Sequence, residues 1–171
     1  MDQQNGMRLW TQAGFIDDAW TRGEDAAGAH VILPLDAFLA AVEAGSNAAP
    51  LGVHLASGES LDAIVPHLDR LALVSLGFPA YNDGRSFSKA ELLRSRHGFT
   101  GTIRAQGDVL IDLVAHMLRT GFDELEVTNA PTLARLEAKR PGGLPVQYQP
   151  AATASDAPTD APAYAWRRVR A

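Results

Sequence analysis

Short apolar runs alternate with amphipathic stretches from about residue 30 to residue 139. This is the pattern of strands that alternate with helices. The run at 71–76 is almost uninterrupted apolar sequence, as expected of a central parallel strand that is covered on both faces. Five runs of this kind predict strands, at 30–33, 52–55, 71–76, 102–105 and 125–127, and a last edge strand is predicted at 146–148.

Helices are predicted between these strands from apolar spacing and end signals. After Pro34, four apolar residues follow at i, i+3, i+4 and i+7 up to Val42, and Gly45 stands at the C′ position. A short helix is expected to begin at Ser60 and to stop or kink at Pro66. Further helices are predicted over residues 88–97, 108–120 and 131–139.

Two of these helices carry a specific start signal. Ser88 and Glu91 form a capping-box pattern, and Asp108 is in position to cap the helix that reaches Thr120 before Gly121. The apolar residues of that second helix form one stripe. Both helix starts are therefore expected directly after a strand.

The alternation predicts an α/β fold of βα units with a mostly parallel sheet. The sheet can be an open three-layer arrangement or a partial barrel, and periodicity does not decide between them. Residues 7–22 predict a hairpin-like cap at the amino end. We expect one domain over residues 1–149 and a disordered Ala/Pro/Asp-rich tail over 150–171, whose end at 164–170 is either plain tail or a docking element.

Composition and charge narrow the function classes. The chain has 171 residues, 46% hydrophobic and 20% charged, which suits one packed domain. A net charge of −5 disfavours nucleic-acid binding, and the absence of cysteine excludes disulfides and thiolate chemistry. No apolar run approaches the ~20 residues of a membrane helix, and the amino terminus lacks a signal-peptide pattern. These features predict a cytoplasmic protein that binds no membrane.

Ligands of parallel sheets bind beyond the carboxyl ends of the strands. The loop at 78–88 is the richest of the three segments that this rule selects, and the others are 106–108 and 128–130. Residues 79–107 contain five Lys or Arg and two acidic residues, a local charge of +3. Guanidinium groups beside helix N-termini suit carboxylate, phosphate, sulfate or sulfite.

Each candidate also has a purely structural interpretation. Arg94 and Arg96 are typical of the solvated face of a helix, Ser88 of a cap, and Asp83-Gly84 of a turn. Arg104 lies mid-strand between apolar neighbours, where an unpaired charge is costly, so it needs a partner. An ion pair and a ligand contact both remain open for Arg104, with Asp83, Asp108, Asp112 and Glu126 as the possible ion-pair partners.

On the 108–120 helix, Asp108, Asp112 and His116 follow at i, i+4 and i+8, as in some metal or acid–base sites. Arg119 continues the same stripe, which favours an ordinary helix face, and we predict no metal site. The other four histidines show no ligand spacing. The familiar phosphate, dinucleotide, hydrolase and zinc motifs are absent, so no cofactor is identified.

Three stretches resemble a bacterial family of unknown function that is encoded beside the assimilatory sulfite reductase haemoprotein and is described as an oxidoreductase of sulfite reduction. They are FPAYNDGRSFSKAELLRSR at 78–96, GTIRAQGDVLID at 101–112 and RTGFD at 119–123. The resemblance covers roughly residues 30–130. The family pattern has glutamate, glutamine and cysteine where this chain has Thr102, Leu113 and Thr120. If thiol chemistry matters in the family, this chain lacks it.

The resemblance implies a set of nine signature positions. Gly107 is one of them. The others form the predicted substrate-binding set, which consists of Asp83, Arg85, Ser88, Arg94, Arg96, Arg104, Asp108 and Asp112.

Two functions are compatible with these features. The first is an oxidoreductase or accessory component of assimilatory sulfite reduction that binds a small oxyanion, free or adenylylated, on the loop rim. The second is a non-catalytic partner that docks on the sulfite reductase haemoprotein. Self-association stays open. The oxyanion site requires Arg85, Arg104 and Asp108 to face one cavity.

Overall fold

The computed structural model describes residues 6–25, 28–45 and 50–143. The predicted edge strand at 146–148 and the predicted tail lie outside these residues. The described part is a mixed α/β structure whose strands form one curled sheet, a half-barrel. The prediction of alternating βα units is confirmed, and the curl decides in favour of a partial barrel.

The strands alternate with helices in the predicted order from residue 31 onward. In the described residues the sheet has eight strands: β1 (Arg8–Thr11), β2 (Gly14–Ile16), β3 (Thr21–Arg22), β4 (Val31–Pro34), β5 (Leu51–Leu55), β6 (Leu71–Phe78), β7 (Thr102–Gly107) and β8 (Glu124–Val127). The four α-helices of the same residues are α1 (Leu35–Glu43), α2 (Arg85–Ser95), α3 (Ile111–Thr120) and α4 (Ala130–Glu137).

The sheet has the order β2-β1-β8-β7-β6-β5-β4-β3. Strands β3 to β8 pair parallel with one another, and β1 pairs antiparallel with both β2 and β8. The predicted hairpin at the amino end is therefore confirmed, and it extends the main sheet. Because consecutive parallel strands are neighbours, right-handed crossovers place the connecting helices on one face.

The apolar core lies between the sheet and these helices. Val53, Val74 and Ile103 point to this side from adjacent strands and pack in one cluster with Phe38 of α1 and Leu93 of α2. Side chains alternate along a strand. The next residue of each strand therefore faces the helix-free, concave side.

The connection from β2 to β3 shows how strongly the sheet is curled. These strands form opposite edges, yet only residues 17–20 join them. A flat sheet of this order would hold its edges about 34 Å apart, at ~4.8 Å per strand. The connection reaches about 18 Å at most. The connecting segment therefore crosses the concave face, and Trp20 packs there beside Gly52 of β5.

Two predicted helix starts are wrong. Helix α2 begins at Arg85, with Gly84 as N-cap, so Ser88 lies inside the helix and its capping box does not form. Helix α3 begins at Ile111 after Leu110. Asp108 was the predicted cap, but its backbone N–H donates to the carbonyl of Phe78. Asp108 therefore continues the hydrogen bonding between β6 and β7.

The predicted helix at Ser60 is shorter and tighter than expected. Ser60 does cap it, since its hydroxyl oxygen accepts from the N–H of Asp62. Two 3-10 segments follow, Leu61–Ala63 and Val65–Arg70, and Pro66 lies in the first turn of the second. Proline tolerates this position because the N–H it lacks has no partner there.

Candidate active site in the curled sheet

A row of polar residues crosses the concave face at one level of four neighbouring strands. His54 of β5 is in register with Ser75, Ser75 with Arg104, and Arg104 with Glu124. His54 and Ser75 are each the one polar residue of an otherwise apolar strand, and Arg104 lies between the apolar residues Ile103 and Ala105. One half of this row is a closed ion network, and the other half opens toward the carboxyl ends of the strands.

The closed half surrounds Arg104, whose side chain is fully buried. Its guanidinium binds the carboxylate of Asp18 through Nη1 and Nη2 at 2.8 and 2.9 Å. Its Nε donates to Glu124 at 2.8 Å, and Nη1 lies 3.4 Å from Glu126. Burial lowers the pKa of Arg104, but the bonds to Asp18 and Glu124 outweigh it and raise that pKa above its ordinary value.

Arg22 extends the network across the two edges of the sheet. Its Nη2 lies 2.5 and 2.6 Å from the two carboxylate oxygens of Glu126, and these residues belong to β3 and β8. The network thus sets two guanidinium groups against three carboxylates. Arg104 needed a partner, as predicted, and of the four proposed partners only Glu126 contacts it.

The open half begins with a chain of three side chains. Nδ1 of His54 lies 3.1 Å from the hydroxyl of Ser75, and that hydroxyl donates to Oε1 of Gln106 at 3.2 Å. Ser75 has one proton and gives it to Gln106. Nδ1 of His54 must then be the donor to Ser75, which leaves Nε2 as an acceptor with a free lone pair.

His54 is held in its neutral form. Burial lowers the pKa of its imidazole, and the nearby charge of Arg22 lowers it further. No described residue accepts or donates a hydrogen bond at Nε2, and no buried side-chain nitrogen or oxygen among them lacks a partner. Nε2 is therefore accessible from the surrounding space.

Two adjoining hollows lie at the carboxyl ends of the strands and share Gln106 and Gly107. The His54 pocket has a volume of about 240 Å³ and is lined by His54, Ala56, Ser57, Gly77, Phe78, Pro79, Gln106 and Gly107. The Glu126 pocket has a volume of about 460 Å³ and is lined by Met7, Arg22, Gln106, Gly107, Asp108, Glu126 and Thr128. Two carboxylates line the second pocket, and none lines the first.

Gly107 forms the wall between the pockets, where only glycine fits. Its φ is +106°, and a Cβ at this position would lie 2.3 Å from the carbonyl oxygen of Phe78. That oxygen also accepts the N–H of Asp108. The chain therefore leaves β7 close against β6, and this brings Asp108 to the rim of the Glu126 pocket.

The rim loop beside the His54 pocket is fixed by a cluster of charges. Arg85 donates through Nε and Nη2 to Asp83 at 2.9 and 2.6 Å, and Nη2 also contacts the hydroxyl of Ser57 at 3.0 Å. Hydrogen bonds from Arg85 first and Ser57 second hold the pKa of Asp83 well below its usual range. The Arg85 side chain is 62% exposed.

Lys89 of α2 binds the loop that follows β5, at residues 56–60. Its Nζ donates to the carbonyls of Ala56 and Ser57 at 2.8 and 3.0 Å. Burial lowers the pKa of this ammonium group. Lys89 was counted in the local positive charge, and it lies directly beneath one wall of the His54 pocket.

The structure disperses the other predicted residues. Arg94 donates to the carbonyls of Phe99, Gly101 and Gly121 and pairs with Asp123, so it ties α2 to the loops on either side of β7 and α3. Ser88, Arg96 and Asp112 are exposed. Of the predicted set, Asp83 and Arg85 lie beside the His54 pocket, Asp108 lines the Glu126 pocket, and Arg104 is enclosed below both. The three residues Arg85, Arg104 and Asp108 therefore do not face one cavity, because the carboxylates around Arg104 already bind its guanidinium, and the site expected around them does not form.

The predicted set omits His54 and Ser75, as well as Asp18 and Arg22 of the ion network. It also omits Gln106, although the segment 106–108 was predicted as a place for a ligand. The signal for two of them was present, because His54 and Ser75 interrupt apolar runs just as Arg104 does. A polar residue in an apolar strand needs a partner in all three cases, whereas the predicted set contains Arg104 alone of them.

A larger hollow, of about 620 Å³, lies at the amino-terminal hairpin and includes Arg8, Phe15 and Asp18. Its Asp18 carboxylate is already bound by Arg104. Over residues 6–25, 28–45 and 50–143, no group of three or more His, Asp or Glu side chains is arranged to hold a metal ion, and no helix has the length and apolar character needed to cross a membrane.

Comparison with known proteins yields one match. No curated protein and no solved structure matches the chain. A family model described as a bacterial protein of unknown function, DUF934, matches residues 52–159. The match contains the His54 pocket and runs past the predicted domain end at 149. It spans more than half of the chain, and the protein therefore belongs to this bacterial family of unknown function.

Proposed function

We propose that this chain is an oxidoreductase component or accessory protein of assimilatory sulfite reduction, and that a small oxyanion binds in its His54 pocket. The link to sulfite rests on the resemblance of residues 78–96, 101–112 and 119–123 described above. The location in the His54 pocket rests on the chemistry of its lining.

The observation that carries the proposal is the absence of any carboxylate from the residues that line the His54 pocket, beside hydrogen-bond donors that remain unused. Oε1 of Gln106 accepts from Ser75, so the amide NH₂ is left for a ligand. Arg85 is not one of the lining residues, but it binds the hydroxyl of the lining residue Ser57 through Nη2, and its Nη1 has no partner in the described residues. Donors of this kind bind sulfur and phosphorus oxyanions.

The neighbouring pocket favours the same placement. Asp108 and Glu126 line the Glu126 pocket together with Arg22, whose charge Glu126 already neutralises. An anion there would meet a net negative surface. The charge contrast across the Gly107 wall therefore favours binding on the His54 side.

Binding is tested by thermal shift and calorimetry with sulfite, sulfate, phosphate, adenosine phosphosulfate and reduced nicotinamide nucleotides, since a ligand of the folded state stabilises it. Arg85→Gln should weaken oxyanion binding. The matched control is Arg96→Gln, which removes the same charge from an exposed position just beyond α2 and should bind as wild type. The absence of binding for every compound would overturn the site.

The cellular role is tested separately. Deleting the gene in the bacterium that encodes it should abolish growth on sulfate or sulfite as the sulfur source and spare growth on cysteine. Wild-type chain and Arg96→Gln should restore growth, and Arg85→Gln should not. Unimpaired growth of the deletion strain on sulfite would contradict a role in sulfite reduction.

Docking on the sulfite reductase haemoprotein is a second candidate, favoured by one observation. Tyr81 projects from the rim loop with 64% of its surface exposed, and exposed aromatic residues are enriched at protein interfaces. Tyr81→Ala should then reduce co-purification with the haemoprotein at low salt. Retention of neither wild type nor variant would eliminate docking.

A further inference from the structure

The His54 pocket presents an acceptor as well as donors. Ser75 gives its single proton to Gln106, so the imidazole of His54 donates through Nδ1 and presents the lone pair of Nε2 to the pocket. A site built only to hold a fully ionised anion would not place a lone pair there, because the oxygens of such an anion are themselves acceptors only.

We infer that the His54 pocket selects oxyanions that carry an acid proton, such as hydrogen sulfite or hydrogen phosphate, whose O–H donates to Nε2 of His54. The inference rests on the proposed function, since it specifies the protonation form of the oxyanion. The amide of Gln106 binds an unprotonated oxygen of the same anion.

The discrimination depends on whether the ligand brings a donor or an acceptor to Nε2 of His54. Hydrogen phosphate has an O–H for the His54 lone pair, whereas sulfate at neutral pH brings an oxygen lone pair to the same place. The second arrangement leaves both groups desolvated and unpaired. Such a mismatch rejects a ligand more strongly than the loss of a neutral contact does.

Several charges surround His54, and together they keep it neutral. The charges of Arg22 in β3 and Lys89 in α2 disfavour the imidazolium. The charges of Glu59, in the loop after β5, and Glu126, in β8, favour it. Burial is the largest influence and also disfavours the imidazolium. The lone pair on Nε2 is thus present near neutral pH, where hydrogen sulfite and hydrogen phosphate both exist.

Ser75 acts as the positioning residue for this lone pair. Its fully buried hydroxyl is the described group that fixes which imidazole nitrogen of His54 carries the proton. With Ser75→Ala, the imidazole is free to place its proton on Nε2. The ¹⁵N shifts of the His54 ring report this change directly, and a purely structural serine would leave the proton on Nδ1.

The experiment is titration calorimetry of the full chain with inorganic phosphate and with sulfate at pH 7, each in two buffers of different ionisation enthalpy. Phosphate should bind at least about tenfold more tightly than sulfate, the worth of one charge-assisted hydrogen bond. Its binding should take up no proton. Equal affinities, or sulfate binding coupled to uptake of one proton, would overturn the inference.

Two further measurements protect this result. His54→Gln offers a donor or an acceptor by rotating its amide, so the preference for phosphate should fall toward unity while phosphate still binds. Should this variant fail to fold, the ¹⁵N spectrum of the wild-type chain decides, and a proton found on Nε2 would overturn the inference. If no oxyanion binds at all, the proposed site falls as well, whereas equal binding of both anions overturns only the selectivity.

Discussion

The ion network around Arg104 and the chain from His54 to Gln106 lie on the same concave face, yet one is closed and the other is open. Arg104 is closed off because the segment at 17–20 crosses over it and adds Asp18 to the carboxylate that Glu124 of β8 supplies. His54 lies on strand β5, where Ser75 is its one hydrogen-bond partner among the residues that the structure describes, and its Nε2 has no partner among them. A polar side chain on the concave face is structural where another segment of the chain covers it, and it is available for chemistry where none does.

Replacing Arg104 should break the closed half and give the largest effect. In Arg104→Met, Asp18, Glu124 and Glu126 would face one another without their shared cation. We expect the free energy of unfolding to fall by about 3–5 kcal/mol, as for other broken buried ion pairs. Urea unfolding followed by circular dichroism measures the loss.

Arg96→Met is the matched control for that experiment, because Arg96 is exposed and has no ion pair within the described chain. Its unfolding midpoint should equal that of the wild type. A similar loss in both variants, or none in Arg104→Met, would show that the network does not stabilise the curled sheet.

The wall between the pockets should be the next most sensitive feature. Gly107→Ala places a Cβ 2.3 Å from the carbonyl oxygen of Phe78 at a φ of +106°. We expect a cost of about 2–3 kcal/mol, with loss of oxyanion binding. Gly98→Ala is the control, since Gly98 also has a positive φ but open space around it, and should cost only about 1 kcal/mol. Equal costs would mean that the close approach of β7 to β6 is not as described.

Acidification should weaken the fold through its neutral histidines. Burial lowers the pKa of His54 and of His116 below the ordinary value of 6.5. Between that value and the lowered one, the unfolded chain binds more protons, so stability decreases as the pH falls. Unfolding midpoints at pH 7 and pH 5.5 measure this decrease, and His54→Gln should make it shallower. A midpoint that rises on acidification would contradict the assignment.

The smallest effect on stability is expected at the rim. Arg85→Gln removes an ion pair whose guanidinium is mostly in water, and such pairs are screened. The unfolding midpoint should stay unchanged while oxyanion affinity is lost. A clear drop in the midpoint would place Arg85 with the structural charges.

Local patterns predicted the fold better than the site. The apolar run at 71–76 and the apolar stripe of the helix before Gly121 each lie within one short segment of the chain, so periodicity identified β6 and α3. The predicted start of α2 was wrong because the carboxylate of Asp83 accepts the N–H of Arg85. The helix therefore begins at Arg85, and Ser88 lies within it. Asp83 and Ser88 are cap signals five residues apart, and they cannot be ranked without that contact.

The site depends on contacts that span most of the chain. Arg104 meets Asp18 across 86 residues, and Arg22 meets Glu126 across 104. The pairing of His54 with Ser75 required the register of two parallel strands, which apolar runs do not specify. The local positive charge was correctly counted, but three of its five cations are neutralised by acids. Four of these acids lie outside the counted segment, namely Asp18, Asp123, Glu124 and Glu126.

The crossing of the concave face has a consequence for dissecting the protein. The family match begins inside β5, and therefore excludes the strands that flank β5 and β8 in the sheet. A fragment that starts at residue 52 would leave β5 and β8 as unpaired edge strands. Unpaired backbone groups of edge strands promote aggregation. The fragment would also lose Asp18 and Arg22. The matched segment thus lacks strands β1 to β4 and two residues of the ion network, and we expect it to be less soluble alone than the full chain.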